Sequence, residues 1–283
     1  MSPVVAGWEL ALRLRERRVE AGINVRTITE ELGFSRNYWS AVENERKVLS
    51  EESLTKLLDL LDIDQDERRE LLALRTAAKE RGWWSRYSAL FDGELQRLFG
   101  LEFGASRVRC YESGIIPGLL QTGDYARAIM APSVTVRSVE VDQRVELRLR
   151  RQERLDGDHP LPLTAVIGEA TLRQQIGGPA VLRRQLEHLA DVIEEHPETV
   201  EVRVIPFTAT ASVLFGASTM CLIDFERPRL PTVVWQETVT TWGLIDDPDQ
   251  VRDIAKSYDD ALQRTLSGRD SLGTIHRCIK ETV

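Results

Sequence analysis

Residues 25–44 read VRTITEELGFSRNYWSAVEN and decide the fold of the first part of the chain. Five apolar residues in this stretch occupy the positions that two helices meeting at a corner must bury: Ile28, Leu32, Phe34, Trp39 and Val42. Gly33 lies between the two helices, where the turn needs a residue that accepts a positive φ. Ser35 then supplies an N-cap oxygen for the second helix. The stretch therefore predicts a helix-turn-helix.

The second helix of this corner exposes polar residues at its N-terminus, where a recognition helix meets base edges in the major groove of DNA. Arg36 suits guanine and Asn37 suits adenine. The predicted DNA-binding residues are Arg26, Ser35, Arg36, Asn37, Ser40, Ala41, Arg46 and Lys47. The nearby basic residues expected to hold flanking phosphates also include Arg13, Arg15, Arg17 and Arg18. The alternative is a helical corner used only for protein contact.

The corner resembles the lambda-repressor-like, or XRE, family. The similarity covers residues 8–75 and rests on Ala21-Gly22-Ile23-Asn24, Ile28, Leu32-Gly33-Phe34-Ser35-Arg36 and Val42-Glu43-Asn44. It implies recognition of double-stranded operator DNA. The family often has Gln, Ala and Gly where this chain has Val25, Thr29 and Glu45. Because the Gly that ends the second helix is missing, we expect Asn44 to adopt the left-handed conformation there.

Length and composition predict an α+β protein with two domains. The 283 residues exceed the usual size of one domain. We predict an all-α helix-turn-helix domain over residues 1–80, a linker over 81–105 and a mixed α/β regulatory domain over 106–283. Gly82-Trp83-Trp84 interrupts the helical pattern, and β-rich runs follow from Arg107.

The second domain is predicted to alternate strands with helices. The expected strands, each rich in β-branched or aromatic residues, are Val108–Glu112, Thr164–Ile167, Val200–Ile205, Thr219–Phe225 and Thr232–Gln236. The expected helices are Tyr125–Met130, Val139–Leu155, Ala180–Glu195, one capped by Asp247 and a last one capped by Asp270.

Charge and hydropathy limit the function classes. The net charge of −8 argues against a surface that is basic throughout, so DNA binding requires a local basic face. No apolar run approaches the roughly 18 residues of a membrane helix, and the N-terminus has no secretory pattern, which favours a cytoplasmic protein without membrane contact. Cys110, Cys221 and Cys278 are expected to be reduced, buried thiols.

Three features of the second half are candidates for partner or ligand binding. The candidate residues are Trp83, Trp84, Ile116, Pro117, Leu119, Leu120, Gln121, Arg148 and Arg151. Each feature has a plainer alternative. The run 116–122 can be a strand-to-helix connection with two core leucines. The arginine-rich helix can present a solvated face with many ion pairs. The tryptophans can form a wedge between the two domains.

The second half resembles the C-terminal domain of actinobacterial XRE regulators such as the WhiJ-like proteins. The similarity rests on Gly82-Trp83-Trp84, the run from Tyr111 to Thr122, Arg148 to Arg154, Leu172 to Gly178 and Val204-Ile205-Pro206-Phe207. It implies an association with a small partner protein and an antitoxin-like role. The histidines and cysteines lack metal-ligand spacing, so we expect no metal, no cofactor and no enzymatic activity.

These observations predict a homodimeric, sequence-specific transcriptional regulator. A single helix-turn-helix buries too little surface for specificity, whereas two half-sites one DNA turn apart multiply it. The C-terminal domain would dimerise and sense a small acidic partner protein or a small-molecule effector. The alternative is an antitoxin-like interaction module that binds a small partner without recognising DNA.

Overall fold

The computed structural model describes residues 1–282 and divides the chain into two compact units. The first unit spans Met1–Ser85 and the second starts at Arg86. The first consists of helices, and the second combines helices with a six-stranded sheet. The predicted α+β class is therefore confirmed. Among residues 1–282, no helix has the length and apolar character needed to cross a membrane.

The first unit is built from five helices: α1 (Pro3–Glu20), α2 (Val25–Leu32), α3 (Arg36–Glu43), α4 (Glu51–Leu60) and α5 (Gln65–Lys79). Short polar side chains begin four of them, since Asn24, Ser35, Ser50 and Asp64 each accept a hydrogen bond from the first turn of the helix that follows. The apolar stripes then meet in one core, in which Ile28, Leu54, Leu57, Leu58 and Leu71 are fully buried.

The second unit contains a mixed sheet. Its strands are β1 (Arg107–Glu112), β2 (Leu163–Gly168), β3 (Val200–Ile205), β4 (Thr219–Asp224), β5 (Val233–Glu237) and β6 (Trp242–Ile245), in the order β3-β2-β1-β4-β5-β6. The first three strands are parallel, whereas β4, β5 and β6 each pair antiparallel with the strand beside them. The parallel and antiparallel halves therefore meet between β1 and β4.

Helices connect and cover this sheet: α6 (Gly93–Phe103), α7 (Gly123–Met130), α8 (Val141–Gln152), α9 (Pro179–Glu195), α10 (Pro248–Gln263) and α11 (Gly268–Glu281). Helix α10 packs its Val251 and Tyr258 in one core with Tyr111, Val166 and Leu222 of the strands. The Tyr258 hydroxyl donates to the Thr164 carbonyl at 2.8 Å, which satisfies the polar end of this buried ring.

The range 81–105, predicted as a linker, instead contains α6. Gly93 and Gly100 lower the helix propensity of this stretch, but Asp92 caps it by accepting from the Leu95 amide at 2.9 Å. Leu98, Phe99 and Leu101 are buried. Tertiary packing, which propensity does not include, therefore stabilises the helix.

Two details at the end of the chain also differ from the sequence prediction. Strand β6 was not predicted, because a four-residue edge strand containing Gly243 has little pattern; pairing with β5 creates it. Helix α11 is capped by Ser267 and not by Asp270, since the Ser267 hydroxyl oxygen accepts from the Asp270 amide at 3.1 Å. Asp247 caps α10 as predicted, accepting from the Gln250 amide at 2.9 Å.

Candidate nucleic-acid interface

The turn between α2 and α3 has the backbone that the sequence predicted. Gly33 adopts φ 68° and ψ 27°, a left-handed conformation that costs a residue with a Cβ about 1 kcal/mol or more. The Ser35 side chain accepts from the Tyr38 amide at 3.1 Å and begins α3. Trp39 and Val42 then anchor α3, with 1% and 4% of their surface exposed. The buried side of α3 is thus fixed, and its opposite side is left free.

The free side of α3 carries Arg36, Asn37 and Ser40, all exposed, with Ala41 half-buried beside them. Within the described part of the chain, neither the Arg36 nor the Asn37 side chain has a hydrogen-bond or ion-pair partner. Ser40 is held by Asn44, whose Nδ2 donates to the Ser40 carbonyl at 2.7 Å and lies 3.3 Å from its hydroxyl. The guanidinium and the amide therefore have their donors available to a ligand.

The segment after α3 brings two further basic residues to this region. The amides of Arg46 and Lys47 both donate to the Ala41 carbonyl, at 2.8 and 3.0 Å. Lys47 Nζ lies 4.9 Å from the centre of the Tyr38 ring, a cation–π contact. Tyr38 in turn packs against Phe34 in a tilted arrangement, with ring centres 4.6 Å apart. Sequence reasoning missed Tyr38 and Asn44 as supporting residues, although the i, i+4 spacing of Ser40 and Asn44 was a usable signal.

Three arginines expected to hold phosphates are instead engaged inside the unit. Arg13 donates to Glu67 at 2.9 Å and to Glu70 at 2.8 Å, and it is buried. Arg17 pairs with Glu67 at 2.5 Å, so these contacts link α1 to α5. Burial opposes ionisation of Glu67, but the hydrogen bonds from Arg17 and Arg13 outweigh it and lower the pKa of Glu67.

Arg18 is the third such arginine, because its Nε donates to Glu43 at 2.8 Å. This ion pair also neutralises the one negative charge of α3. Glu43 is the only carboxylate of the helix, and its side chain is only 13% exposed. The free face of α3 therefore carries no acidic side chain.

Arg15 and Arg26 lie in solvent. Arg15 is exposed, and Arg26 pairs with Glu30 one helical turn away, a contact between exposed side chains that contributes little to stability.

The end of α3 corrects one prediction. Asn44 has φ −103° and is not left-handed; Glu45 takes the left-handed conformation, with φ 61°. Asn44 is held by its side-chain hydrogen bonds to Ser40, so the reversal of the chain falls on the next residue. Glu45 is therefore a strained residue, because it adopts a conformation that a side chain with a Cβ disfavours.

The structure buries most of the candidate partner-binding residues inside the second unit. Ile116, Leu120 and Gln121 have no exposed surface, and Pro117 and Leu119 are buried. Gln121 Nε2 donates to the Ile116 carbonyl at 2.6 Å. Two glutamines that sequence reasoning missed support the same segment: Gln152 Nε2 donates to the Gln121 carbonyl and Gln185 Nε2 to the Leu120 carbonyl. The run 116–122 is therefore a connection whose backbone groups are satisfied internally.

Arg148 and Arg151 form neither an open basic patch nor a solvated face. Arg151 makes two hydrogen bonds to Glu102, at 2.8 and 2.6 Å, and both side chains are largely buried. Arg148 donates to Gln121 Oε1 at 2.6 Å. Burial and the proximity of Arg151 lower the pKa of Arg148 to about 10, so it is still charged at neutral pH. Both guanidinium groups are used to hold α8 against its neighbours.

Glu112, another residue that sequence reasoning missed, lies in the same buried polar region. It is 6% exposed and accepts from the Thr219 hydroxyl at 2.6 Å. Burial raises the pKa of Glu112 to about 7, against the opposing effect of the Thr219 hydrogen bond. A lone glutamate at a strand end carries no sequence signal for such a shift.

The two tryptophans form a T-shaped pair with ring centres 5.8 Å apart. Trp84 is buried and Trp83 half-buried. Their role as a wedge between domains, or as a ligand platform, stays a prediction.

Comparison with known protein families agrees with this organisation. A family model described as a helix-turn-helix domain matches residues 9–71, which include α2 and α3. A second family model, described as a domain of unknown function (DUF5753), matches residues 95–277. Neither the curated proteins nor the solved structures contain a match to the chain. Within residues 1–282, no group of three or more His, Cys, Asp and Glu side chains is arranged to hold a metal ion. Since the second model covers more than half of the sequence, the chain belongs to the DUF5753 family, with a helix-turn-helix domain at its N-terminus.

Proposed function

We propose that this protein is a non-enzymatic transcriptional regulator that binds specific sequences of double-stranded DNA through α3. The observation that carries the proposal is the free face of α3. There the exposed side chains of Arg36 and Asn37 have no partner among residues 1–282, and the only carboxylate of the helix is paired with Arg18. A guanidinium fork matches the O6 and N7 atoms of guanine, and a carboxamide matches N6 and N7 of adenine. Arg26, Arg46 and Lys47 would contact flanking phosphates.

The second part of the proposal is that the regulator is cytoplasmic and acts as a homodimer. The overall acidity of the chain supports the homodimer. One recognition helix with a few phosphate contacts gives modest affinity when the net charge is −8. Two half-sites separated by about 34 to 36 Å would multiply it. The DUF5753 domain would provide the dimer contact and respond to a small partner protein or ligand, as its similarity to WhiJ-like regulators suggests.

The test is selection of bound fragments from a random DNA pool, followed by measurement of affinity for the enriched sequence. The paired variant Arg36→Ala with Asn37→Ala should lower that affinity about 30-fold or more, because each base contact contributes about 1 to 3 kcal/mol. Its circular dichroism should not change, since both side chains are exposed.

A matched control is available on α5. Gln65→Ala with Arg69→Ala also removes one amide and one guanidinium from exposed helix positions. This control should bind the enriched sequence as the parent does. Failure to enrich any sequence, or equal loss of affinity in both paired variants, would overturn recognition by α3. The dimer is tested by the mass of the protein in solution, where a monomer at micromolar concentration both free and on DNA would refute it.

A further inference from the structure

Two of the three cysteines face each other at the centre of the sheet. Cys110 in β1 lies directly opposite Cys221 in β4 in the antiparallel register. Directly opposite residues point to the same face of a sheet, with Cα atoms about 4.5 or 5.5 Å apart and Cβ atoms about 4.5 to 5.5 Å apart. A disulfide needs Cα atoms about 4.4 to 6.8 Å apart and Cβ atoms about 3.5 to 4.5 Å apart. The backbone spacing is therefore suitable, and only a small approach of the side chains is required.

The surroundings of the two thiols give them different roles. Cys110 is buried, whereas Cys221 is partly exposed. A hydrogen bond with Cys221 and burial both raise the pKa of the Cys110 thiol well above its usual value. The Arg151 guanidinium lies near enough to Cys221 for the two side chains to interact electrostatically. Cys221 is thus the more exposed residue of the pair, and Cys110 is the buried one.

We propose that Cys110 and Cys221 are a modification site that closes to a reversible intramolecular disulfide when a peroxide oxidises the protein. In the first step the Cys221 thiolate attacks one oxygen of hydrogen peroxide, which forms a sulfenic acid and releases hydroxide. In the second step the Cys110 sulfur attacks the Cys221 sulfur. The S–S bond forms, the S–O bond breaks, and the proton of Cys110 leaves with the hydroxyl group as water. Overall, two thiols and one peroxide give one disulfide and two waters.

The cross-link would join the parallel half of the sheet to its antiparallel half. It would also close the long segment of chain that contains α7, α8 and α9. Restricting a loop of this length in the unfolded state stabilises the folded state, so the oxidised protein should unfold at a higher temperature than the reduced protein. A thiol reductant should return it to the starting value.

The chain contains its own control, because Cys278 lies on α11 and is buried, and burial raises the pKa of its thiol. Within the described residues neither of the other cysteines is paired with it, whereas Cys110 and Cys221 are register partners. A site-specific reaction should therefore leave Cys278 as a free thiol.

The experiment treats the full, reduced protein with hydrogen peroxide under native conditions and then measures intact mass, denatured thiol content and the cross-linked peptides. The expected result is a loss of about two mass units, a fall from three titratable thiols to one, and a single peptide pair that joins Cys110 to Cys221. Cys278→Ala should give the same disulfide. Cys221→Ala, which changes the partly exposed residue of the pair, should prevent the loss of mass.

Three results would overturn the proposal. These are retention of three thiols at peroxide doses that oxidise an exposed reference thiol, a gain of oxygen on Cys221 without a cross-link, or a cross-link that includes Cys278. Because the peptide map is made on the unmodified sequence, a variant that fails to fold does not affect this conclusion.

Discussion

Helices α3 and α8 both carry arginines that sequence reasoning assigned to binding surfaces, and the structure uses these arginines in opposite ways. On α3, Arg36 is exposed and has no partner within the described residues. On α8, Arg151 is bound to Glu102 and Arg148 to Gln121, both largely out of solvent. The arginine of α3 is available to bind a ligand, whereas the arginines of α8 bind neighbouring residues and stabilise the domain.

The difference shows that the partners of an arginine, and not its place in a basic run, decide whether it can bind a ligand. A buried guanidinium must be hydrogen-bonded, because leaving it unpaired in a region of low dielectric is costly. An exposed one has little to gain from a single surface carboxylate. The same distinction separates Arg13, Arg17 and Arg18 from Arg36 within the first unit.

The largest effect is expected when the buried pair on α8 is broken. Arg151→Ala leaves Glu102 buried without its partner and should lower the free energy of unfolding of the second unit by about 3 to 5 kcal/mol. Urea unfolding combined with hydrogen exchange of peptides from this unit measures it. Arg183→Ala, which removes an exposed i, i+4 pair on α9, should cost less than about 1 kcal/mol. Equal losses in the two variants would contradict the structural role of Arg151.

The buried carboxyl near α8 should make the stability of the second unit depend on pH. The pKa of Glu112 is raised to about 7 in the folded protein, from about 4.3 in an unfolded chain, so its stabilising, protonated form is lost as pH rises through this window. Glu112→Gln keeps the side chain neutral at every pH. It should be about 3 to 4 kcal/mol more stable than the parent at pH 8 and about 1 kcal/mol more stable at pH 5.

Unfolding free energies at the two pH values test this directly. Glu198→Gln, at an exposed position, is the control. Its free energy of unfolding should change between pH 5 and pH 8 by the same amount as that of the parent. A Glu112→Gln variant with the same advantage at both pH values would show that the carboxyl does not titrate in this window.

A substitution on α3 should affect DNA recognition without affecting the fold. Arg36→Lys keeps the charge but removes the fork, so affinity for the selected sequence should fall about 5- to 150-fold while affinity for random DNA changes little. Its free energy of unfolding should stay within about 0.5 kcal/mol of the parent. Arg46→Lys, at a predicted phosphate contact, is the control. An equal loss of specificity in this variant would contradict a special role for Arg36 in base recognition.

The smallest effect concerns the strained end of α3. Glu45→Gly should stabilise the first unit by about 1 kcal/mol, because glycine accepts the observed φ of 61° without a Cβ penalty. Thermal unfolding measures the gain. Asn44→Gly should instead destabilise the unit, since the backbone of Asn44 itself is not left-handed and the hydrogen bond from its side chain to Ser40 is lost. Stabilisation by the Asn44 change would contradict this assignment.

The sequence was sufficient where local chemistry decides the structure. Gly33, Ser35 and the apolar spacing around Trp39 predicted the helix-turn-helix, and the structure and the family match both bear it out. Five β-rich runs predicted five of the six strands to within a residue or two. The sequence did not predict α6 or β6. Helix α6 is stabilised by burial of its apolar side chains, and β6 by pairing with β5.

The sequence by itself thus determined the α+β class, the two-helix corner and which side of α3 is buried, because hydrophobic periodicity, a turn glycine and a cap act over a few neighbouring residues. Only the tertiary structure decided which arginines are available. Glu67 lies about fifty residues from Arg13, as Glu102 does from Arg151. It also decided that Cys110 meets Cys221. Contacts between residues so far apart in the chain depend on how whole helices and strands pack, which no local pattern contains.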